Sequence, residues 1–161
     1  ATSSMTACGL CNLLLAYDVL NSDKSGKKLL RETKLDAAID KAVWDAIAWL
    51  DLNWSSFENK FSHTGYHIYY LYALERAMDV LEKSLCGSHV WYEEGAKEIL
   101  SYAKSDTVSV KVKKLTELHE VFFWNTNATH EPKDVLDTCF ALLFLKRATK
   151  GLVPGGVVTG G

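Results

Sequence analysis

Several groups of residues in this chain have types and spacings from which chemistry could be built. His63, His67, Cys86 and His89 combine an H-x3-H with a C-x2-H, ligand types suited to zinc. Their placement argues against a shared ion, because a straight helix over residues 67 to 86 would hold its ends ~28 Å apart at 1.5 Å per residue. Cys8 and Cys11 stand one helical turn apart, a spacing compatible with a common ligand. A C-x2-C inside an apolar helical run, with no strand and turn before it, reads instead as a pair of core thiols. His119 and Glu120 open an HEVFF string that lacks the second histidine of the zincin pattern and suits a surface strand edge. No metal or cofactor is expected.

Two further groups lie on or beside one long apolar stretch, Tyr66 to Leu85. Glu75, Asp79 and Glu82 form a narrow acidic arc, which could bind a cation or work as acid and base inside a cavity. Arg76 and Lys83 are spaced to pair with Asp79, so the same arc also reads as a solvated edge or an ion pair between helices. Tyr66, Tyr69, Tyr70 and Tyr72, with Trp91 and Tyr92 in a nearby element, could line a pocket for an isoprenoid or face a carbocation. Aromatics at helical spacing more often pack a core. The candidate pocket is therefore Tyr66, Tyr69, Tyr70, Tyr72, Glu75, Asp79, Trp91 and Tyr92; no catalytic residue is assigned, because no catalytic motif is complete.

The elements that must position these residues read as helices. Tyr66 to Leu85 contains no Gly or Pro; Leu71, Leu74, Met78, Leu81 and Leu85 share one stripe, and Tyr69, Tyr72, Ala73, Arg76 and Val80 fall nearly opposite. A helix apolar on two sides belongs in the centre with neighbours on both flanks. Upstream, Ser3 or Ser4 is the expected N-cap of a helix to about Asn21, whose face with Ala7, Cys8, Gly9 and Cys11 admits a close neighbour. Asn21 to Lys28 reads as a polar turn and Lys28 to Lys34 as a short helical turn. From Asp36, the stripe Ile39, Val43, Ala46, Ile47, Leu50 predicts a one-sided outer helix; Trp54, Phe57 and Phe61 are expected to pin the loop that follows.

Gly87 is the natural stop after the central helix, and Ser88 an N-cap for a second outer helix over roughly His89 to Lys104. The alternation of Val108, Val110 and Val112 with Ser109, Lys111 and Lys113, followed by Val121 to Trp124, predicts a short β-hairpin near 107–124. The last helix, about Lys133 to Lys150, carries so little polar surface that burial on all sides is expected. The tail 151–161 is glycine-rich and without period.

Composition sets limits. With 161 residues and 48% hydrophobic content, the chain suits one domain with a real core. A net charge of -2 offers no case for nucleic acid or an anionic membrane. The longest unbroken apolar run, Phe140 to Leu145, is far short of a bilayer span, so no membrane span is expected. Of four cysteines, Cys8, Cys11 and Cys139 sit in apolar helical runs, which favours a reduced compartment such as the cytoplasm, while a start at Ala1 without Met leads to the expectation of a processed N-terminus that leaves export open.

The order is an all-round apolar helix, a one-sided helix, and so on to a fifth, so inner and outer helices alternate. LERAM from Leu74 and LKRAT from Leu145 hint at an internal repeat. SMTACGLCNLLLAYDVL from Ser4, the AWL of Ala48 to Leu50, YYLYALERA from Tyr69, HVWYEEGAKEIL from His89 and DTCFALLFLKRAT from Asp137 resemble the prenyltransferase and squalene-oxidase repeat proteins, in particular the C-terminal part of their bacterial members. The resemblance covers about Ser4 to Lys150 and implies an all-α fold of the α/α-toroid type, shared with terpenoid cyclases and protein prenyltransferase β-subunits. The functional motifs depart from it. The acidic D-x-D-D of the cyclases is missing, and SYAKSDTVSV from Ser101 stands where a Gln and Gly-x-Trp repeat would fall. Asp137 and Cys139 match the first two zinc ligands of the prenyltransferases by spacing, but no histidine follows.

Such toroids have about six helical hairpins and this chain two and a half, so residues 1–150 are expected to be a segment of a larger ring. The expected function is a non-catalytic or cryptic toroid segment, a scaffold or interaction module that contacts further protein. The alternative is a prenyltransferase-like enzyme or binder of apolar, isoprenoid-like small molecules, with Glu75 or Asp79 as polar partner. A deep aromatic pocket containing a carboxylate would favour the second, and packed side chains the first.

Overall fold

The computed structural model describes residues 1–63, 66–112, 115–126 and 133–146. They form mainly helix: α1 (Ser3–Ser22), α2 (Lys24–Thr33), α3 (Leu35–Leu52), α4 (His67–Val80), α5 (Trp91–Ser101) and α6 (Lys133–Leu145), with one antiparallel hairpin of β1 (Ala103–Val112) and β2 (Leu115–Trp124) between α5 and α6. The predicted tail and the end of the last predicted helix lie outside the described residues.

α4 is the centre. It packs against α1 on one side and α6 on the other, α3 and α2 lie on α1, and α5 and β2 close over α6. Ile68, Leu71, Leu74, Ala77 and Met78 are fully buried, which places the predicted leucine stripe in the core. The helix is shorter than its sequence suggests, ending at Val80 rather than Leu85. Glu82 adopts the left-handed conformation with φ 53°. Its N–H bonds to Asp79 O at 3.1 Å and that of Lys83 to Met78 O at 3.0 Å. This pair of bonds is a Schellman cap, usually built on glycine. Here Glu82 takes the position, and Leu85 is left exposed beyond it.

Gly87 has a different task from ending a helix. It sits with φ 61° in a turn closed by Cys86 and His89, whose backbones exchange hydrogen bonds of 3.0 and 3.1 Å. The Asp51 carboxylate, at the end of α3, accepts from the Ser88 N–H at 2.9 Å and its hydroxyl at 3.0 Å. Those bonds hold its carboxyl below the usual range. Ser88 therefore serves this turn and not the N-cap of α5, which is Val90.

Other boundaries also move. Thr2, not Ser3 or Ser4, caps α1 by accepting from the Met5 N–H. Ser4 is buried and exchanges bonds of 2.9 Å with the Asn59 side chain, and Lys60 O accepts from the Ser3 N–H at 3.2 Å. The loop before α4 is thus pinned by Asn59 and Ser55, with Trp54 half-buried, while Phe57 and Phe61 are exposed. The polar stretch after Asn21 holds no long turn, because Asp23 alone joins α1 to α2 and caps the latter through the Ser25 and Gly26 N–H groups. α3 matches its predicted stripe, with Val43, Ile47 and Leu50 buried. Gly9, expected on a close-packed face of α1, is open to solvent.

α6 departs most from expectation. Asp137, Ala141 and Phe144 are buried, but Val135, Leu136, Leu142 and Leu143 are between 43% and 58% exposed. The reason is position: α4, α5 and β2 cover one side, and among the described residues nothing covers the other. α1, twenty residues long with mean hydropathy 1.3 over an 18-residue window, is by length and composition the one described helix that could cross a bilayer. It was not singled out by the search for unbroken apolar runs, since Asn12 and Asp18 interrupt it.

Gly87→Ala tests the turn, since a Cβ there would meet the Asp51 carboxyl and φ is positive. A loss on the order of 2 kcal/mol in urea unfolding is expected. A change within about 0.5 kcal/mol would mean that the turn adapts freely.

Candidate functional site

The residues singled out for chemistry are mostly parted by the fold. His63 is exposed before α4, His67 is buried at its first turn, and Cys86 and His89 lie past its far end, ~20 Å along its axis. Among the described residues no group of three or more His, Cys, Asp or Glu side chains could hold a metal. Asp137 is buried and accepts from the Thr126 N–H and hydroxyl at 2.9 and 2.8 Å, whereas Cys139 is exposed. His119 and Glu120 are exposed on β2.

Part of the aromatic set does converge, as packing. Trp91 and Tyr70 are fully buried. Trp91 meets Tyr92 and Phe144 edge-on at 5.6 and 6.2 Å, and Tyr92 stacks on Phe144 at 5.2 Å with 11° between planes. Gly95 makes this possible, because a Cβ there would stand 2.8 Å from the Phe144 ring. The Trp91 indole N–H bonds to Lys83 O at 3.0 Å and the Tyr92 hydroxyl to Leu145 O at 3.3 Å. Tyr70 carries a hydroxyl with no hydrogen-bond partner among the described residues, and burial drives its ionisation far upward. Tyr66 is the left-handed residue that precedes α4, with φ 52°.

What remains open is a cleft of about 260 Å³ between α1 and α4, lined by Cys8, Cys11, Asn12, Tyr69, Tyr72, Ala73 and Arg76. The Tyr69 hydroxyl and Cys8 thiol are hydrogen-bonded at 3.1 Å. That bond and burial raise the Tyr69 ionisation; burial and the nearby Cys8 raise that of Cys11. Phe140 of α6 packs against the Tyr69 and Tyr72 rings at 5.1 and 5.4 Å. A second hollow, about 400 Å³, lies along α2 among Lys24, Lys27, Lys28, Arg31 and Glu32. It is flanked by long solvated side chains of one helix and has no second wall.

The acidic arc is not a solvated edge. Glu75 is fully buried, and the adjacent Arg76 reaches back to it with two bonds of 2.6 Å while donating to Asp79 at 3.0 Å. The guanidinium lies over the Tyr72 ring at 5.8 Å. Burial pushes the Glu75 carboxyl up, with Arg76 pulling against it, and the bonds from Glu75 hold Arg76 firmly protonated. Glu82 is away from this cluster at the helix cap. Lys83, spaced to pair with Asp79 in a continued helix, lies past the cap as well.

A cluster missed by the sequence reading sits around the Gly87 turn. The His89 ring stacks on Trp54 at 4.6 Å and 12°, its nitrogens 3.7 Å from Asp51 and 3.4 Å from Glu94. The Trp54 indole donates to Glu94 at 2.7 Å. These contacts tie α3, the loop and α5 together; the residues are 51 to 94 in sequence and carry no local signal of meeting.

Comparison of the chain with protein-family models, with curated proteins and with solved structures returns no match.

Two outcomes check this geometry. Arg76→Ala strands Glu75 in the core, so a loss of about 3–5 kcal/mol is expected at neutral pH. Much of it should return in acid, because a raised carboxyl binds its proton more tightly folded than unfolded. An equal loss at low pH would remove the charge from the explanation. Burial pushes the Cys86 thiol from 9.0 up to about 12. Its contribution is therefore complete below pH 9 and lost between there and 12, at about 1.4 kcal/mol per unit. Cys86→Ala should flatten that alkaline limb, and an unchanged slope would contradict the assignment.

Proposed function

We propose that the chain is a non-catalytic segment of the α/α-toroid kind, a scaffold or interaction module whose open helical flanks receive further helical hairpins of a larger ring or its partner subunits. One observation carries the reading: half of the aromatic side chains that could have lined a ligand pocket, Tyr70, Trp91 and Tyr92, are spent on packing. Tyr70 and Trp91 are fully buried, Tyr92 is stacked on Phe144, and the carboxylates of Glu75 and Asp79 are held by Arg76. The remaining cleft is smaller than the ~300–1,000 Å³ usual for small-molecule sites and has no carboxylate among its lining residues.

The open flanks supply the positive argument. On α6 the exposed Val135, Leu136, Leu142 and Leu143, and on α1 Met5, Leu15 and Val19, are the surfaces a next inner helix would cover. α1 and α6 both pack on α4, with α2 and α3 on α1 and α5 on α4 and α6, an order that supports the reading without closing a ring. The isoprenoid-binding alternative has only the Tyr69 and Tyr72 edges in its favour.

Sedimentation of the chain beside a Leu136→Glu/Leu142→Glu variant, with thermal melts in farnesol, tests the reading. Both side chains are exposed, so the variant should keep its stability within about 0.5 kcal/mol while association weakens at least about tenfold. Farnesol should leave the melting temperature unmoved, whereas a ligand at 100 times its Kd would add about 2.7 kcal/mol. A monodisperse monomer in dilute solution, or a large shift with farnesol, would overturn it.

A further inference from the structure

The β-hairpin stands out from the helices with almost no cover. From Lys104 to Lys111 and from Leu115 to Glu120 every residue is exposed, Leu115 at 68% and Leu118 at 74%. An isolated two-stranded hairpin is only marginally stable in water, and its outer edges present unpaired N–H and C=O groups. Only the base is anchored, by Trp124, whose indole donates to Ile99 O at 2.9 Å.

The anchor also reveals which backbone groups face outward. The Trp124 N–H donates to the Thr138 hydroxyl at 2.9 Å and its carbonyl accepts from the same hydroxyl at 3.4 Å, so both turn away from β1 toward α6. Antiparallel ladders alternate residue by residue. Phe122, Glu120, Leu118 and Thr116 therefore direct their N–H and C=O to the same side, the edge of β2, which beyond α6 has no partner strand among the described residues.

We propose that this edge is a homodimer interface, in which a second copy adds its own β2 antiparallel with Leu118 opposite Leu118 at a two-fold axis. The sequence of the strand selects both the partner and the register. With Leu118 on the axis, Glu117 falls opposite His119 of the other copy twice over, Leu115 opposite Val121, and Thr116 opposite Glu120. Glu117 and His119, already 3.3 Å apart within one strand, then form a four-residue carboxylate–imidazole cluster across the axis, and apolar meets apolar on the same face of the sheet. Moving the axis one residue toward the tip sets Glu117 against Glu117, and one residue the other way sets His119 against His119. Outward-facing residues also meet outward-facing residues in this register, as the hydrogen bonds require. Trp124 lies six residues from the axis, ~20 Å along the strand, so the two helical bodies sit at opposite ends of a four-stranded sheet. Like pairs then close the assembly at two copies. The interface uses a different surface from the flanks of α1 and α6, so it stands whatever those flanks receive.

Sedimentation velocity of the full chain over a concentration series, beside Leu118→Pro and Leu118→Lys, tests the proposal. Proline at 118 spares the internal ladder because that N–H faces away from β1, and circular dichroism checks the hairpin. Lysine leaves the backbone intact and sets two like charges on the axis. A dimerisation step separable from any association through α6 is expected, with its Kd rising at least about tenfold in both variants. In a Cys139→Ser background, Leu118→Cys should give a disulfide-linked dimer on mild oxidation, since hydrogen-bonded pairs have Cα atoms ~5.5 Å apart. Thr107→Cys on β1 should give none. A chain monomeric throughout overturns the proposal, as does a dimer indifferent to both Leu118 variants or one that cross-links equally through 107. If only the α6 variant dissolved the association, the interface would lie on α6, leaving the scaffold reading intact and removing this one.

Discussion

A carboxylate with no exposed surface sits in the middle of the central helix, and the arrangement around it follows from the need to keep it satisfied. Glu75 cannot meet water, so a cation must come to it; the cation is its own neighbour, Arg76. Adjacent residues on a helix point ~100° apart, so the arginine must fold along the helix surface to make two bonds. It does so beside Asp79 and over the Tyr72 ring, with its outer part in solvent. A passage between α1 and α4 is needed for that side chain. Cys8, Cys11 and Ala73, all small, line that passage beside Arg76, and a cleft of about 260 Å³ stays open there.

That placement explains the division of labour around α4. The side facing α1 is partly polar and tolerates a gap, with a thiol–phenol bond between Cys8 and Tyr69. The side facing α5 and α6 is closed by rings: Phe140 against Tyr69 and Tyr72, and Phe144 between Trp91 and Tyr92. Phe140 and Phe144 are one turn apart on α6, so one helix contributes both contacts. Burying Glu75 adds no net stability in itself, since desolvating an ion pair offsets most of its attraction. The rings carry the packing, and the ion pair fixes which way α4 faces.

Much of this was legible from residue order, and the failures have physical causes. The one-sided stripe of α3 and the period-two run of the hairpin depend only on local alternation, and both appear where expected, with the two strands starting earlier, at Ala103 and Leu115. The end of α4 was hidden because a left-handed cap was sought at a glycine and Glu82 occupies it. The two apolar sides of α4 found neighbours, while the equally apolar α6 did not bury all of its surface. Periodicity gives the width of an apolar stripe but not the number of neighbours available to cover it. The spacing of Glu75 suits a pocket, a solvated edge or an ion pair between helices alike; its burial depends on the return of Arg76 along the same helix, which spacing does not reveal. The cluster of Trp54, His89 and Glu94 depends on how two turns meet, which no local spacing encodes.

The same reasoning bears on why the exposed apolar surface is unevenly distributed. α1 has neighbours in α2, α3 and α4, yet Met5, Leu15 and Val19 remain bare along its outer side; α6 has a bare side too, at the other end of the row. Both bare sides lie at the ends of the row, and its centre is filled. The outer face of α3 carries Asp40, Lys41 and Asp45, with Trp44 exposed among them at 63%. α3 and α6 therefore differ in degree: the exposed side of α3 mixes charged residues with Trp44, whereas that of α6 is chiefly Val135, Leu136, Leu142 and Leu143.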